Sequence, residues 1–244
     1  MVKFLVLVTG FNCKDYVKGC WESIRNQGYA NYRAAFISDG STDGTNLVLI
    51  AQQSDPRFSL HLKSNNMGAA YRRWQAVQEL HPDQGEVIIL VGMDDELLPG
   101  CLERIANEYD NGMWMTYGNW INQYGKGLPE NFELEFPEEV HKSRDYRKVK
   151  YRSTAPNTFR TFLFNRIPKE DFQINGRWID STTESEVMFS CLEMCGKEKI
   201  GLIRDKIYLY NQSLPGGTLK RLGVKYKYDI YNQIMQRQKK DLLR

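Results

Sequence analysis

Short apolar runs alternate with amphipathic segments through the first 110 residues, and each conspicuous polar turn follows directly on an apolar run. Lys3–Val8, Arg33–Ser38, Phe58–Leu62 and Glu86–Val91 read as strands, rich in β-branched and aromatic residues and closed by turn residues. Between them, Asp15–Asn26 reads as a helix. Its apolar residues Tyr16, Val17, Cys20, Trp21 and Ile24 recur at helical spacing, and Gly28 ends it. Asn46–Gln53, Gly68–Leu80 and Cys101–Tyr109 read the same way. Strands alternating with helices of about ten residues predict an α/β fold, a mostly parallel central sheet flanked by helices. In such sheets ligands bind beyond the carboxyl ends of the strands, which is where all these polar turns fall.

The regular pattern ends near Tyr109. Residues 110–157, rich in Gly, Pro, aromatic and charged residues, read as a loop region, with its long loop at 120–157. Thr158–Phe164 reads as a strand, Glu184–Cys195 as a helix ended by Gly196, and Ile207–Tyr210 as a short strand. Val224–Arg244 reads as a basic helix interleaved with Tyr226, Tyr228, Ile230, Tyr231 and Ile234.

The chain has 244 residues, enough for one α/β domain with a sizeable core, since 41% of residues are hydrophobic. That excludes a disordered chain. No apolar run approaches the ~20 residues of a membrane span, nor does the N-terminus carry a secretory signal. Five cysteines without Cys-x-x-Cys spacing point to buried free thiols and a cytoplasmic address. The net charge of +3 hides a split. Residues 1–140 hold 11 basic and 19 acidic side chains, residues 141–244 hold 22 and 11. The basic second part is expected to face something anionic: phosphate, a lipid surface or a nucleic acid. A solvated face is the plain alternative.

Three motifs carry candidate chemistry. The turn Ser38-Asp39-Gly40-Ser41-Thr42-Asp43-Gly44-Thr45 offers carboxylates and hydroxyls to a base or sugar, or else caps the next helix. Gly92-Met93-Asp94-Asp95-Glu96 follows the most apolar strand. Adjacent acids there suit Mg²⁺ or Mn²⁺, held by one or two carboxylates plus substrate phosphates. Asn65-Asn66-Met67-Gly68, followed by Arg72 and Arg73 on a helix, places a guanidinium where a phosphate could be met.

Taken in order, these motifs resemble the family 2 glycosyltransferases of the GT-A fold. Val8-Thr9-Gly10-Phe11-Asn12, Ser38-Asp39, Asn66-Met67-Gly68, Arg73 and Asp94-Asp95-Glu96-Leu97-Leu98-Pro99 carry the likeness densely up to about residue 110. A sparser stretch runs from Thr158-Phe159-Arg160 through Thr183-Glu184-Ser185-Glu186 and Gly196 to Tyr208-Leu209-Tyr210-Asn211. The resemblance implies a Rossmann-like nucleotide-sugar-binding half over 1–110, a smaller acceptor-binding half over 111–218 and a C-terminal helix over 219–244. It further implies an inverting transferase moving a sugar from a nucleoside-diphosphate sugar, a UDP-sugar by analogy, onto an acceptor hydroxyl. Thr9, Phe11, Asn12, Asp39 and Ser41 would hold the nucleoside, and Arg73 would lie near the donor phosphates. Asp94, with Asp95 beside it, would hold Mn²⁺ or Mg²⁺. Ser38 and Gly92 stand where the family carries acids. Glu184 aligns with the general base and Asp180 and Glu186 are its rivals, unless Glu184 merely favours a helix N-terminus.

The implied acceptor is a glycan or a lipid-linked molecule; the basic tail offers either a peripheral contact with an anionic membrane surface or a helix packing its aromatic stripe on the body. Three other readings stay open at this stage: a nucleotidyltransferase, a non-catalytic sugar-nucleotide or glycan-binding module, and a transferase acting on nucleic acid. Trp114, Tyr117, Trp120 and Tyr124 offer either a sugar platform or core.

Overall fold

A computed structural model describes residues 1–211 and 218–243. In chain order the elements are β1 (Phe4–Gly10), α1 (Val17–Arg25), β2 (Tyr32–Asp39), α2 (Thr45–Gln52), β3 (Phe58–Lys63), α3 (Ala69–Leu80), β4 (Val87–Gly92), β5 (Glu96–Leu97) and α4 (Cys101–Asp110). There follow β6 (Met115–Asn122), α5 (Glu138–Ser143), β7 (Asn157–Arg160), α6 (Thr161–Phe164), the ribbon of β8 (Gln173–Ile174) and β9 (Arg177–Trp178), α7 (Thr183–Met194), β10 (Ile200–Tyr210) and α8 (Thr218–Met235).

Eight strands form the main sheet in the order β3-β2-β1-β4-β7-β6-β10-β5. β1, β2, β3 and β4 pair in parallel, as do β6 and β10, whereas β7 runs antiparallel to both β4 and β6. The strands are nearly continuous in apolar residues because both faces are covered. Phe4, Val6 and Val8 face one core with Val17, Trp21 and Ile24 of α1 and Leu102 and Ile105 of α4. Leu5 and Leu7 face the other, with Ala76 and Val77 of α3 and Val187, Met188 and Leu192 of α7. Full burial of a large apolar side chain such as Trp21 contributes roughly 1.5–3 kcal/mol.

The α/β reading of the first 110 residues holds, with element ends shifted by one or two residues. The second half differs in three main places, besides β10 starting at Ile200 instead of Ile207 and α5 interrupting the loop expected over 120–157. Residues 115–122, expected in a loop, form strand β6 in the body of the sheet. Gly118 and two asparagines disguise it, and its strand character comes from pairing with β7 and β10. Only β7, the first part of the expected strand Thr158–Phe164, is extended; the chain turns into α6 at Thr161, whose N–H and hydroxyl both bond the Glu86 carbonyl.

The basic tail is the third. Gly223, at φ +81°, breaks α8, and the helix ends at Met235 instead of running to Arg244, which lies outside the described residues. Beyond Met235 the chain is held by the body: Leu243 N–H donates to the Met194 carbonyl at 2.9 Å, and Arg144 donates to the Lys240 carbonyl at 3.1 Å. Lys239 pairs with Asp145, Lys240 with Asp171, and Arg237 with the buried Glu186. Three of the tail's cations, Arg237, Lys239 and Lys240, are thus answered by acids of the body. Among the described residues no helix is long and apolar enough to cross a membrane. All five cysteines are free and buried.

Candidate active site

Parallel pairing sets Thr9 level with Gly92 and Gly10 level with Ser38, so the turns after β1, β2 and β4 emerge side by side. The first two turns are tied to each other. Asn12, at φ +55°, donates its backbone N–H to the Ser41 hydroxyl at 3.0 Å, and its side-chain oxygen accepts from Thr42 N–H at 2.9 Å. Ser38 donates to Ser41 at 2.8 Å. Asp43 caps α2 through Thr45 N–H and also accepts from Lys14 N–H. Asn12 and Ser41 therefore shape this rim. Thr9 is buried with its hydroxyl unpartnered among the described residues, and Phe11 is half-buried beside it.

Asp39 is 4% exposed and fully engaged. Its carboxylate accepts from Met67 N–H at 2.9 Å and Gly68 N–H at 2.8 Å, ahead of the α3 N-terminus where amides lack helical partners. It also pairs with Arg72 Nε at 2.6 Å. Arg72 in turn donates to Gln75 Oε1 and to the Asn65 carbonyl. The close approach depends on Gly40: at φ +75°, a Cβ there would lie 2.5 Å from the Asn65 carbonyl carbon. Asp39 and Arg72 thus anchor the 65–68 loop over the cleft. The sequence suggested neither this pairing nor the saturation of Arg72.

The acid cluster after β4 divides its labour. Asp95 is 5% exposed and both its oxygens are taken, Oδ2 by the Tyr208 hydroxyl at 2.7 Å and Oδ1 by Asn211 N–H at 2.8 Å. Burial, then the neighbouring Asp94 charge, pushes its carboxyl well above the usual range. Asp94 ion-pairs with no Lys or Arg among the described residues. Burial also raises its pKa, its own backbone N–H works against the rise, and the Glu184 charge adds to it. A Cβ at Gly92 would lie 2.7 Å from Asp95 Oδ2 and 2.8 Å from Asp94 Oδ1, so these carboxylates fold over the space a side chain there would need.

Across the cleft, Arg73 of α3 reaches α7 instead of standing apart. Its Nη1 donates to Glu184 Oε1 at 2.5 Å and to the Thr183 hydroxyl at 2.8 Å. Arg73 is 5% exposed and its Nε–H is buried without a partner among the described residues, while the Glu184 side chain is 39% exposed. Burial works to raise the Glu184 pKa, but the Arg73 charge and the hydrogen bonds outweigh it and hold the carboxyl below its usual range. Asp180, just before α7, accepts from the Tyr226 hydroxyl of α8 at 2.8 Å.

Of the four aromatic candidates, Tyr117 is core and Trp114 packs edge-on against Phe162. Trp120 pairs with Tyr210, ring centroids 5.3 Å apart. Tyr210, 41% exposed, feels the charges of Asp95, Asp94 and Glu184, which with the larger effect of burial push its phenol up to about 12. Tyr208, Tyr210 and Asn211 carry part of the resemblance in the sequence but receive no role there, because β10 is brought beside the acid cluster only by its pairing with β5 and β6.

Among the described residues no three His, Cys, Asp or Glu side chains converge as a self-sufficient metal cage. Asp95, an expected ligand, has both oxygens committed elsewhere. Asp94 alone fits a cation that takes one carboxylate and completes its shell with phosphate and water oxygens.

The sequence model of Glycosyl transferase family 2 matches residues 5–171. Glycosyltransferase GlyG of Streptococcus pneumoniae is 26% identical over 223 residues, covering 85% of this chain and 70% of its own length. The chain spans 15%, 39% and 38% of the length of three further curated relatives. Staphylococcus aureus TarS 1–349, solved with UDP-GlcNAc, superposes with a TM-score of 0.70 at 17% identity, over 96% of this chain and 65% of that one. A mannosyltransferase from Pyrobaculum calidifontis, solved with GDP-Man and Mn²⁺, gives 0.60 at 13%, over 98% and 66%. These two similarities concern the GT-A fold.

Proposed function

Because the chain belongs to glycosyl transferase family 2, we propose that its cleft transfers a sugar with inversion from a nucleoside-diphosphate sugar, by preference a UDP-sugar, to a hydroxyl of a glycan acceptor. The observation that carries this reading is that the turn after β4 bearing Asp94 and the start of α7 bearing Glu184 lie near enough for the Glu184 charge to raise the Asp94 pKa, with Arg73 bonded to Glu184 from α3. The complexes of the two structural neighbours with UDP-GlcNAc and with GDP-Man and Mn²⁺ support the donor class and a divalent ion.

The turns after β1 and β2, with Thr9, Phe11, Asn12 and Ser41, form the nucleoside end. Asp39 supports that end by fixing the 65–68 loop. Asp94 would hold Mg²⁺ or Mn²⁺ with the donor diphosphate, and such an ion stabilises charge gathering on the leaving phosphate. Glu184 takes the proton of the acceptor hydroxyl as its oxygen attacks the anomeric carbon, general-base assistance typically worth about 10²–10⁴-fold. An acid held ionised is ready for that role at neutral pH. Asp180, which accepts from Tyr226 through one oxygen, is the rival base. Attack opposite the leaving group inverts the anomeric centre. The pair of half-buried Trp120 and exposed Tyr210 offers a face to sugar C–H groups beside the acids.

The test is a melt with UDP and other nucleoside diphosphates, with and without Mn²⁺, followed by transfer from UDP-sugars. Ligand at about 100 times its Kd adds ~2.7 kcal/mol, visible as a rise of several degrees. A rise that needs UDP and metal and disappears in Asp94→Ala is expected, as is an inverted product by NMR coupling. No response to any nucleotide, or a retained configuration, overturns the reading.

A further inference from the structure

The sequence suggests that Arg73 serves the donor phosphates, but the structure gives it a different partner. Its Nη1 spends both hydrogen bonds on the start of α7, one to Glu184 Oε1 and one to Thr183 Oγ1, while the Thr183 hydroxyl also reaches Glu184 Oε2 at 3.2 Å. Three residues thus form a closed triangle across two helices whose positions in the chain differ by 110 residues. Glu184 is otherwise free to swing, being more than a third exposed on the first turn of its helix. Arg73 cannot swing, because it is 5% exposed and packed in α3. The rigid partner therefore sets the orientation of the mobile one. The other charged or titratable groups that act on Glu184, or feel its charge, are Asp94 and Asp95 after β4, Tyr151 and Tyr210. Among the described residues, Arg73 is the one cation in that group.

We propose that Arg73 is the positioning residue for Glu184, its guanidinium and the Thr183 hydroxyl together fixing the carboxylate in the orientation from which it meets the acceptor hydroxyl. This rests on reading Glu184 as the base. Placement matters on this scale, since a misplacement of about 1 Å in a reacting constellation can cost on the order of 10²-fold in rate.

Two measurements test it. The first needs no turnover: thermal melts of wild type, Arg73→Gln, Glu184→Gln and the double variant. Coupled groups give losses that do not add, so the double variant should melt close to the worse single one; additive losses overturn the proposal. The second is kinetic, with a UDP-sugar and acceptor. Arg73→Gln should lower kcat by about 10²-fold, and Arg73→Lys should recover part of it. UDP affinity by calorimetry should stay within about threefold of wild type. If Arg73→Gln instead loses UDP affinity while kcat at saturation is kept, Arg73 serves the donor and the proposal falls. If Arg73→Gln does not fold, Thr183→Val, which opens the same triangle, replaces it in both measurements with the same outcomes. Wild type that transfers no sugar from any nucleotide donor refutes the glycosyltransferase reading, whereas the melting cycle still decides the Arg73–Glu184 link.

Discussion

Tyr208 donates its phenol to Asp95 at 2.7 Å across 113 residues of chain. The contact decides which acid of the cluster is available to a ligand, because Asn211 N–H occupies the other Asp95 oxygen. Asp95 is thereby tied to β10 and the residue after it, whereas Asp94 makes no ion pair with a Lys or Arg among the described residues.

That division predicts opposite behaviour for two neighbouring substitutions. Asp94→Asn should leave the melting temperature near wild type and abolish the metal-dependent response to UDP. Asp95→Asn should keep that response in the folded fraction but lose about 1–3 kcal/mol of stability, because an amide cannot accept from both partners and leaves a buried polar group unpaired. Urea unfolding and nucleotide-dependent melts of both variants check this.

Gly40→Ala should damage the nucleoside end from the back of the turn. Its Cβ would sit 2.5 Å from Asn65 C and 2.6 Å from Asn66 N, both backbone atoms, at φ +75°. The 65–68 loop must then move off Asp39. We expect a loss exceeding the ~1 kcal/mol of left-handed strain alone and at least tenfold weaker UDP binding. Calorimetry of the variant beside wild type measures both.

Arg147 is buried between Glu186 and Glu193 of α7, bonding both carboxylates, the Ser190 hydroxyl and the Ile234 carbonyl. Arg147→Met should cost roughly 3–5 kcal/mol, since it strands two buried acids with only Arg237 still paired to one of them. Adding Glu186→Gln and Glu193→Gln should restore part of the loss. Denaturant midpoints of the single and triple variants compare them.

The tail fastening should release in acid. Hydrogen bonds from Lys148 and Lys239 hold the Asp145 carboxyl down at about 2. A depressed carboxyl stabilises the fold above its unfolded pKa of ~3.9 and loses that contribution as pH falls through the folded value. Wild type should therefore out-melt Asp145→Asn at pH 5 and lose that advantage on approaching pH 2. An advantage unchanged across this window would separate Asp145 from the tail's anchorage.

The first half of the fold was legible because its information is local. Lys3–Val8 and Glu86–Val91 are apolar enough to name themselves as strands covered on both faces, and Gly28 and Gly68 punctuate the helices between them. The turns carrying Thr9, Asn12, Asp39, Ser41 and Asp94 were found for the same reason: parallel strands joined by helices send all such turns to one edge. Residues 115–122 were not legible, since Met-Thr-Tyr-Gly-Asn-Trp-Ile-Asn acquires strand character only between β7 and β10.

By itself, then, the sequence determined the α/β alternation, the edge where chemistry would gather and the residue types standing there. Tertiary structure decided the employment of each: Asp39 bound to Arg72, Asp95 to Tyr208, Arg73 to Glu184, and the tail's lysines and arginine to acids of the body. The physical reason is that a side chain's type is a local property, while its partner, and with it the charge state and orientation that make it reactive or structural, is set by whatever the fold packs against it from distant parts of the chain.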